Sequence, residues 1–153
     1  MEILSGLIGA VIGAIGTHLT LRFNYKQLYA QTVSSNRMDW INVWRESVSN
    51  FLAYAEVLQK HRGDISNRKY SEKSKKCLVK YEHEMFKSRA MILSRLNLTE
   101  NDHVEMMAAL ENFKIICDDC EFALQRELVL ELARNILKPE WERMKKEAKG
   151  KKR

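Results

Sequence analysis

The chain has 153 residues, a formal net charge of +6, one proline and three cysteines, and 30% of its residues are charged. That length accommodates one domain plus an anchor, and the composition suits long helices better than a sheet-rich fold. The charge points to anionic partners such as lipid headgroups or nucleotides, and three cysteines without a secretory pattern read as reduced thiols of a cytosolic domain.

Ile3 to Leu21 is a run of nineteen residues without Asp, Glu, Lys or Arg. As a helix it would be about 28 Å long, close to a hydrocarbon core of about 30 Å. Only Glu2 precedes it as a charge, and Arg22, Phe23, Tyr25 and Lys26 follow. A cleaved signal would show a basic start and a shorter apolar stretch, so the pattern predicts a retained membrane span. Positive charge on the C-terminal side alone predicts an outside N-terminus and a cytoplasmic domain. Gly6, Gly9, Gly13 and Gly16 are spaced 3, 4 and 3, and Thr17 and Thr20 extend their stripe. Such a face lets helix backbones touch in lipid, so it predicts a self-association seam or, in a ring, the lining of a pore. An ordinary anchor is the plainer alternative, and His18 fits either a pore or the headgroup region.

From Tyr25 the chain has neither glycine nor proline until Gly63, so the membrane helix either continues as a stalk or breaks at Ser34-Ser35-Asn36. Trp40, Trp44, Val48, Phe51, Ala55 and Leu58 then recur at 4, 4, 3, 4 and 3, the core face of a helix. Gly63 to Asn67 reads as a loop, followed by a helix from about Tyr70 to Leu96 with Leu78, Tyr81, Met85, Ile92 and Leu96 inward. Thr99 to Asp102 has the look of a capping box that opens a third helix. That helix is expected to run to Leu137, with Val104, Met107, Leu110, Phe113, Cys117, Leu124 and Leu128 inward. Pro139 ends or kinks it and begins a short helix, Glu140 to Lys149. The expectation is an all-α chain: a transmembrane helix over 1–22, a stalk over 23–35, a cytoplasmic bundle of three long helices plus a short C-terminal helix over 36–149, and a basic tail over 150–153.

The run Ser34-x-x-Arg37-x-x-Trp40-Ile41-x-x-x-Arg45, with Phe51 after it, resembles small bacterial membrane proteins in which a membrane helix precedes a cytosolic helical bundle. Arg95-Leu96-Asn97-Leu98 followed by Asp102-His103 is similar to a later helix–helix corner in those proteins. Some of them resemble membrane effectors of anti-phage defence, the Hailong type among them, in which a membrane protein is paired with a nucleotidyltransferase that makes an oligonucleotide. The resemblance implies an oligomeric channel gated by a nucleotide or oligonucleotide, with a nucleotidyltransferase as partner. The C-terminal third has no part in it.

Read from residue types alone, Arg37 and Arg45 flank the tryptophan face. Each either packs its stem there and pairs with a carboxylate, or reads a phosphate. Two basic clusters stand out. One spans Lys60, Arg62, Arg68, Lys69, Lys73, Lys75, Lys76 and Lys80, and the other Lys138, Arg143, Lys145, Lys146, Lys149, Lys151, Lys152 and Arg153. Lysines of this kind make non-sequence-specific phosphate contacts or attract the chain to anionic lipid. The inner cluster is the favoured ligand site, with Arg37 and Arg45. Cys117-x-x-Cys120 lacks the second ligand pair that zinc needs, and Cys117 is expected on an apolar helix face. No nucleophile–base pattern or phosphate-binding glycine loop is present, so neither a catalytic residue, a metal nor a cofactor is expected. The leading reading is an oligomeric membrane effector; the rival is an anchored helical adaptor without channel activity that recruits a protein or nucleic acid.

Overall fold

The computed structural model describes the backbone of residues 2–61 and 72–148, and side-chain surroundings from Gly13 onward except at residues 14, 15, 26, 30, 72, 73 and 148. Within them the chain is all-helical: α1 (Glu2–Lys60), α2 (Glu72–Leu93), α3 (Asn101–Glu111) and α4 (Asp119–Ala148). It divides into two units, residues 1–38 with 143–153, and residues 39–142. Of the two alternatives at Ser34-Ser35-Asn36, the helix runs through without a break.

The 39–142 unit is built on one apolar core. The face foreseen on α1 supplies Trp44, Val48, Phe51, Ala55 and Leu58, all buried, with Trp40 partly buried; Leu52, not foreseen, joins them. Leu78, Met85 and Ile92 recur every seven residues along α2 and are buried against it. Aromatic contacts tie the elements together. Trp40 stacks on Trp44 at 5.5 Å, Tyr54 on Tyr81 at 6.1 Å, and Phe113 meets Phe51 and Phe122 edge-on at 5.0 and 5.7 Å. Such pairs add direction to apolar burial because ring edges and faces carry opposite partial charge.

The expected third helix is two helices. Its first part ends at Glu111, with Asn112 as C-cap, and α4 begins at Asp119. Asp118 opens α4: its carboxylate accepts the backbone N–H of Glu121 at 2.8 Å, satisfying a donor that the first turn leaves unpaired. The interruption resets the helical phase, so the predicted inward face holds at Leu110, which is buried, and at Phe113 and Cys117, which pack partly buried against the core, and fails beyond it. Cys117 lies in the connection and not on a helix face. Leu124 and Leu128 are 74% and 47% exposed, while Phe122, Val129, Leu132 and Ile136 are buried instead. On α3 the buried set is His103, Met106 and Leu110, with Val104 outward.

Two further expectations at helix ends are corrected. Glu100, not Thr99, is the N-cap of α3, and its side chain makes no capping bond. Asn97 organises the corner instead: its side-chain oxygen accepts from the Thr99 hydroxyl at 2.9 Å, and its amide donates to Glu100 at 2.9 Å. Pro139 lies inside α4 and neither ends it nor begins a separate helix. Beyond the proline, Trp141 lies half-buried with the Arg45 guanidinium 5.5 Å from its ring centroid. That contact anchors the turn that follows the missing backbone donor.

Among the described residues no helix is long and apolar enough to cross a membrane. The side chains of residues 1–12, 14 and 15, most of the predicted 3–21 span, lie outside the described residues.

Candidate functional site

The connection between α3 and α4 is held by polar contacts that also shape a cleft. The Gln59 side chain donates from Nε2 to the Cys117 carbonyl at 3.0 Å, tying the connection to the end of α1. Lys114 donates its backbone N–H to Gln125 Oε1 at 2.6 Å, and its ammonium pairs with Glu121 at 3.1 Å. The Cys117 thiol donates to the Lys114 carbonyl at 3.3 Å. These bonds present Lys114, Ile115 and Ile116 to α2, and with Leu58, Lys75, Leu78, Val79 and Glu82 they line a cleft of about 510 Å³. The floor is apolar, and its rim carries the ammonium groups of Lys75 and of Lys114, the latter paired with Glu121, together with the Glu82 carboxylate, an arrangement that suits a ligand with an apolar or planar body and a polar edge.

Among the described residues Lys75 is the one member of the predicted inner cluster that lines this cleft. Lys76 and Lys80 are exposed on α2, outside it. Arg68 and Lys69 lie outside the described residues, as does the side chain of Lys73. Lys73, Lys76 and Lys80 share one helix face by spacing, and Lys75 lies about a quarter turn or more away, so the cluster is two faces in one stretch of sequence. Lys114 was not singled out from sequence, because it stands alone among apolar residues. The capping pair Asp118-x-x-Glu121 was the signal that would have broken the helix there and brought Lys114 to notice.

Arg37 and Arg45 are both engaged. Arg37 pairs with Glu147 at 2.6 Å within the first unit. Arg45 lies over Trp141 in the second and lines a different cleft, of about 430 Å³, between α1 and α4. Arg45 does not line the cleft of Lys75 and Lys114.

Of the glycine stripe, Gly6 and Gly9 have surroundings outside the described residues. A Cβ at Gly13 or Gly16 would meet nothing within 4 Å. The hydroxyls of Thr17 and Thr20 donate to the carbonyls of Gly13 and Gly16 at 2.8 and 2.9 Å. Each threonine thereby satisfies its own donor on the helix. Below them Leu19, Leu21, Phe23, Tyr25, Leu28 and Tyr29 are all exposed, Phe23 to 69% and Tyr25 to 73%.

The second basic cluster is described as far as Lys146, where Lys138, Arg143, Lys145 and Lys146 are exposed; Lys149, Lys151, Lys152 and Arg153 lie outside the described residues. Among the described residues no group of His, Cys, Asp and Glu could hold a metal ion. No family model, curated protein or solved structure gives a significant match to this chain.

Proposed function

We propose that this chain is a single-pass effector of the bacterial inner membrane, acting in anti-phage defence as a homo-oligomer. Its N-terminal helix crosses the bilayer with residues 3–21, N-terminus outside, and copies associate through the glycine face to form a channel or a membrane-disrupting assembly. An anionic nucleotide or oligonucleotide, supplied by a nucleotidyltransferase partner, reaches the cytoplasmic helical domain and gates it.

The observation that carries the reading is the run of six large apolar side chains from Leu19 to Tyr29 left exposed by a single chain. It continues a nineteen-residue uncharged stretch. These side chains are spread around the helix axis with Arg22 and Lys26 between them in sequence, and that much exposed apolar surface is costly in water and calls for lipid or another protein surface. Back-bonded threonines beside open glycines give a helix face with small relief and no unmet hydroxyl donor, which suits close packing in hydrocarbon. The cleft with Lys75 and Lys114 supports the ligand part of the reading by its charge and apolar lining.

The test is made on the full chain in liposomes. Gly9→Leu with Gly13→Leu should separate the helix backbones, and both crosslinking between copies and ion conductance should fall together. An unchanged crosslinking ladder moves the seam elsewhere. Chains that crosslink normally and pass no ions under any ligand leave an anchored adaptor.

A further inference from the structure

The α2 wall of the Lys75–Lys114 cleft is part of a longer stripe. Lys75, Val79 and Glu82 line the cleft at spacings of 4 and 3, and the same alternation leads on to Phe86 and Arg89. At about 100° per residue these five positions fall within about 80° of the circumference of α2, whereas Lys76 and Lys80 are turned about 100° and 140° from Lys75. Val79 and Phe86 are 57% and 49% exposed, and Ile116 faces the cleft from the α3–α4 connection with 60% exposed. Arg89 is half-buried, its Nε is buried without a hydrogen-bond partner, and among the described residues no carboxylate pairs with it.

Cations therefore stand at both ends of the stripe, Lys75 with Lys114 at one and Arg89 at the other, and an open aromatic ring stands between them. Fourteen residues of helix separate Lys75 from Arg89, about 21 Å. Cations that meet a backbone and aromatic faces that meet bases are the two parts of a single-strand site. Glu82 disfavours a phosphate at the middle of the stripe and accepts hydrogen bonds from base amino groups, so bases and not backbone face α2 there. A lipid headgroup would engage the cation ends and leave Phe86 without a ring to stack on.

We propose that the ligand of this site is a single-stranded oligonucleotide and not a mononucleotide. One phosphate is held at Lys75 and Lys114, the strand runs along α2, a base stacks on Phe86, and a further phosphate meets Arg89. The inference rests on the reading of the Lys75–Lys114 cleft as the anion site. At about 3.4 Å per nucleotide of a stacked strand, about six nucleotides cover the stripe, and an extended strand needs fewer.

The experiment titrates the full chain in mild detergent with a length series of end-labelled single strands, from the mononucleotide upward. Affinity should climb with length and level off by about six nucleotides. Phe86→Ala should weaken the long strands by about fivefold or more and leave the dinucleotide unchanged, while Phe86→Trp should keep the affinity. Arg89→Gln should flatten the dependence of log affinity on log salt by about 0.7 for long strands only, and Arg89→Lys should keep the slope. Unchanged dinucleotide binding in these variants shows that the cleft is still folded. An affinity that is independent of length, or equal losses for the dinucleotide and the long strand, overturns the proposal. Polyglutamate that displaces the strand at equal charge overturns it too, and assigns the stripe to an acidic protein partner. If Lys75→Glu with Lys114→Glu removes binding at every length while changes at Phe86 and Arg89 do nothing, this inference alone is wrong. If no strand binds the unaltered chain at low salt, the reading of the cleft falls with it.

Discussion

Trp44 and His103 show how single side chains set the corner of the bundle. Trp44 is fully buried, its ring 6.5 Å from that of His103, and its indole N–H has no acceptor among the described residues. His103 accepts the backbone N–H of Asn97 on Nδ1 at 2.8 Å, which requires that nitrogen to be unprotonated. The stretches around Trp40 and Asn97 thus border one small region, because Trp44, on which Trp40 stacks, lies beside His103, which bonds Asn97. Truncating Trp44 to alanine should cost about 3–5 kcal/mol, since a large cavity opens in the core. Trp44→Phe should cost much less than that, because it keeps a ring and removes a buried donor that lacks a partner. Trp40→Ala, at a half-buried position, should fall between these two. Thermal melting of the full chain in mild detergent, followed by far-ultraviolet circular dichroism, gives the order. A Trp44→Phe chain as unstable as Trp44→Ala would mean that the indole N–H has a partner after all.

At the scale of elements, the core face of α1 was legible because six residues keep helical spacing from Trp40 to Leu58 with no breaker among them. The register of α2 was legible for the same reason, in Leu78, Met85 and Ile92. The break between α3 and α4 was not, because residues 112–118 contain no glycine or proline and their apolar members continue a helical period by chance. The signal there was local and polar: Asn112 stops one helix and Asp118 starts the next. Pro139 misled in the opposite direction, since α4 continues through it to a turn in which Trp141 meets Arg45. Asp118→Ala removes the bond to the Glu121 N–H and should cost about 1 kcal/mol, within the range for a lost N-cap. Its effect should also reach the cleft, because Lys114 depends on Glu121 and Gln125 in the first turns of α4. Asp118→Asn keeps an acceptor oxygen and should retain most of the stability. Equal loss in both variants would show that the charge of Asp118, and not its capping oxygen, matters.

Across the whole molecule, 26 basic residues against 20 acidic ones leave an excess that could be spread evenly or gathered where a ligand is held. Sequence clustering alone favoured Lys69 to Lys80, but clustering along a helix does not place charges on one face. Lys75 shares a cleft with Lys114, thirty-nine positions later in the sequence, and not with Lys76 or Lys80. A partner of this kind could not be read without knowing how the α3–α4 connection folds back onto α2. The consequence can be measured on the full chain in detergent with a short single-stranded oligonucleotide as probe. Lys75→Glu with Lys114→Glu should weaken binding strongly, whereas Lys76→Glu with Lys80→Glu, the same change in net charge, should weaken it little. Salt titration separates the causes. Each lost phosphate contact should flatten the dependence of log affinity on log salt by about 0.7 for a single strand, so the cleft pair should remove roughly twice that and the outer pair almost nothing. Equal losses from the two pairs would reassign the binding to the general field of the domain. No binding by the unaltered chain at low salt would remove nucleic-acid phosphate as the ligand, and liposomes with and without anionic lipid would then decide whether Lys75 and Lys114 meet a headgroup.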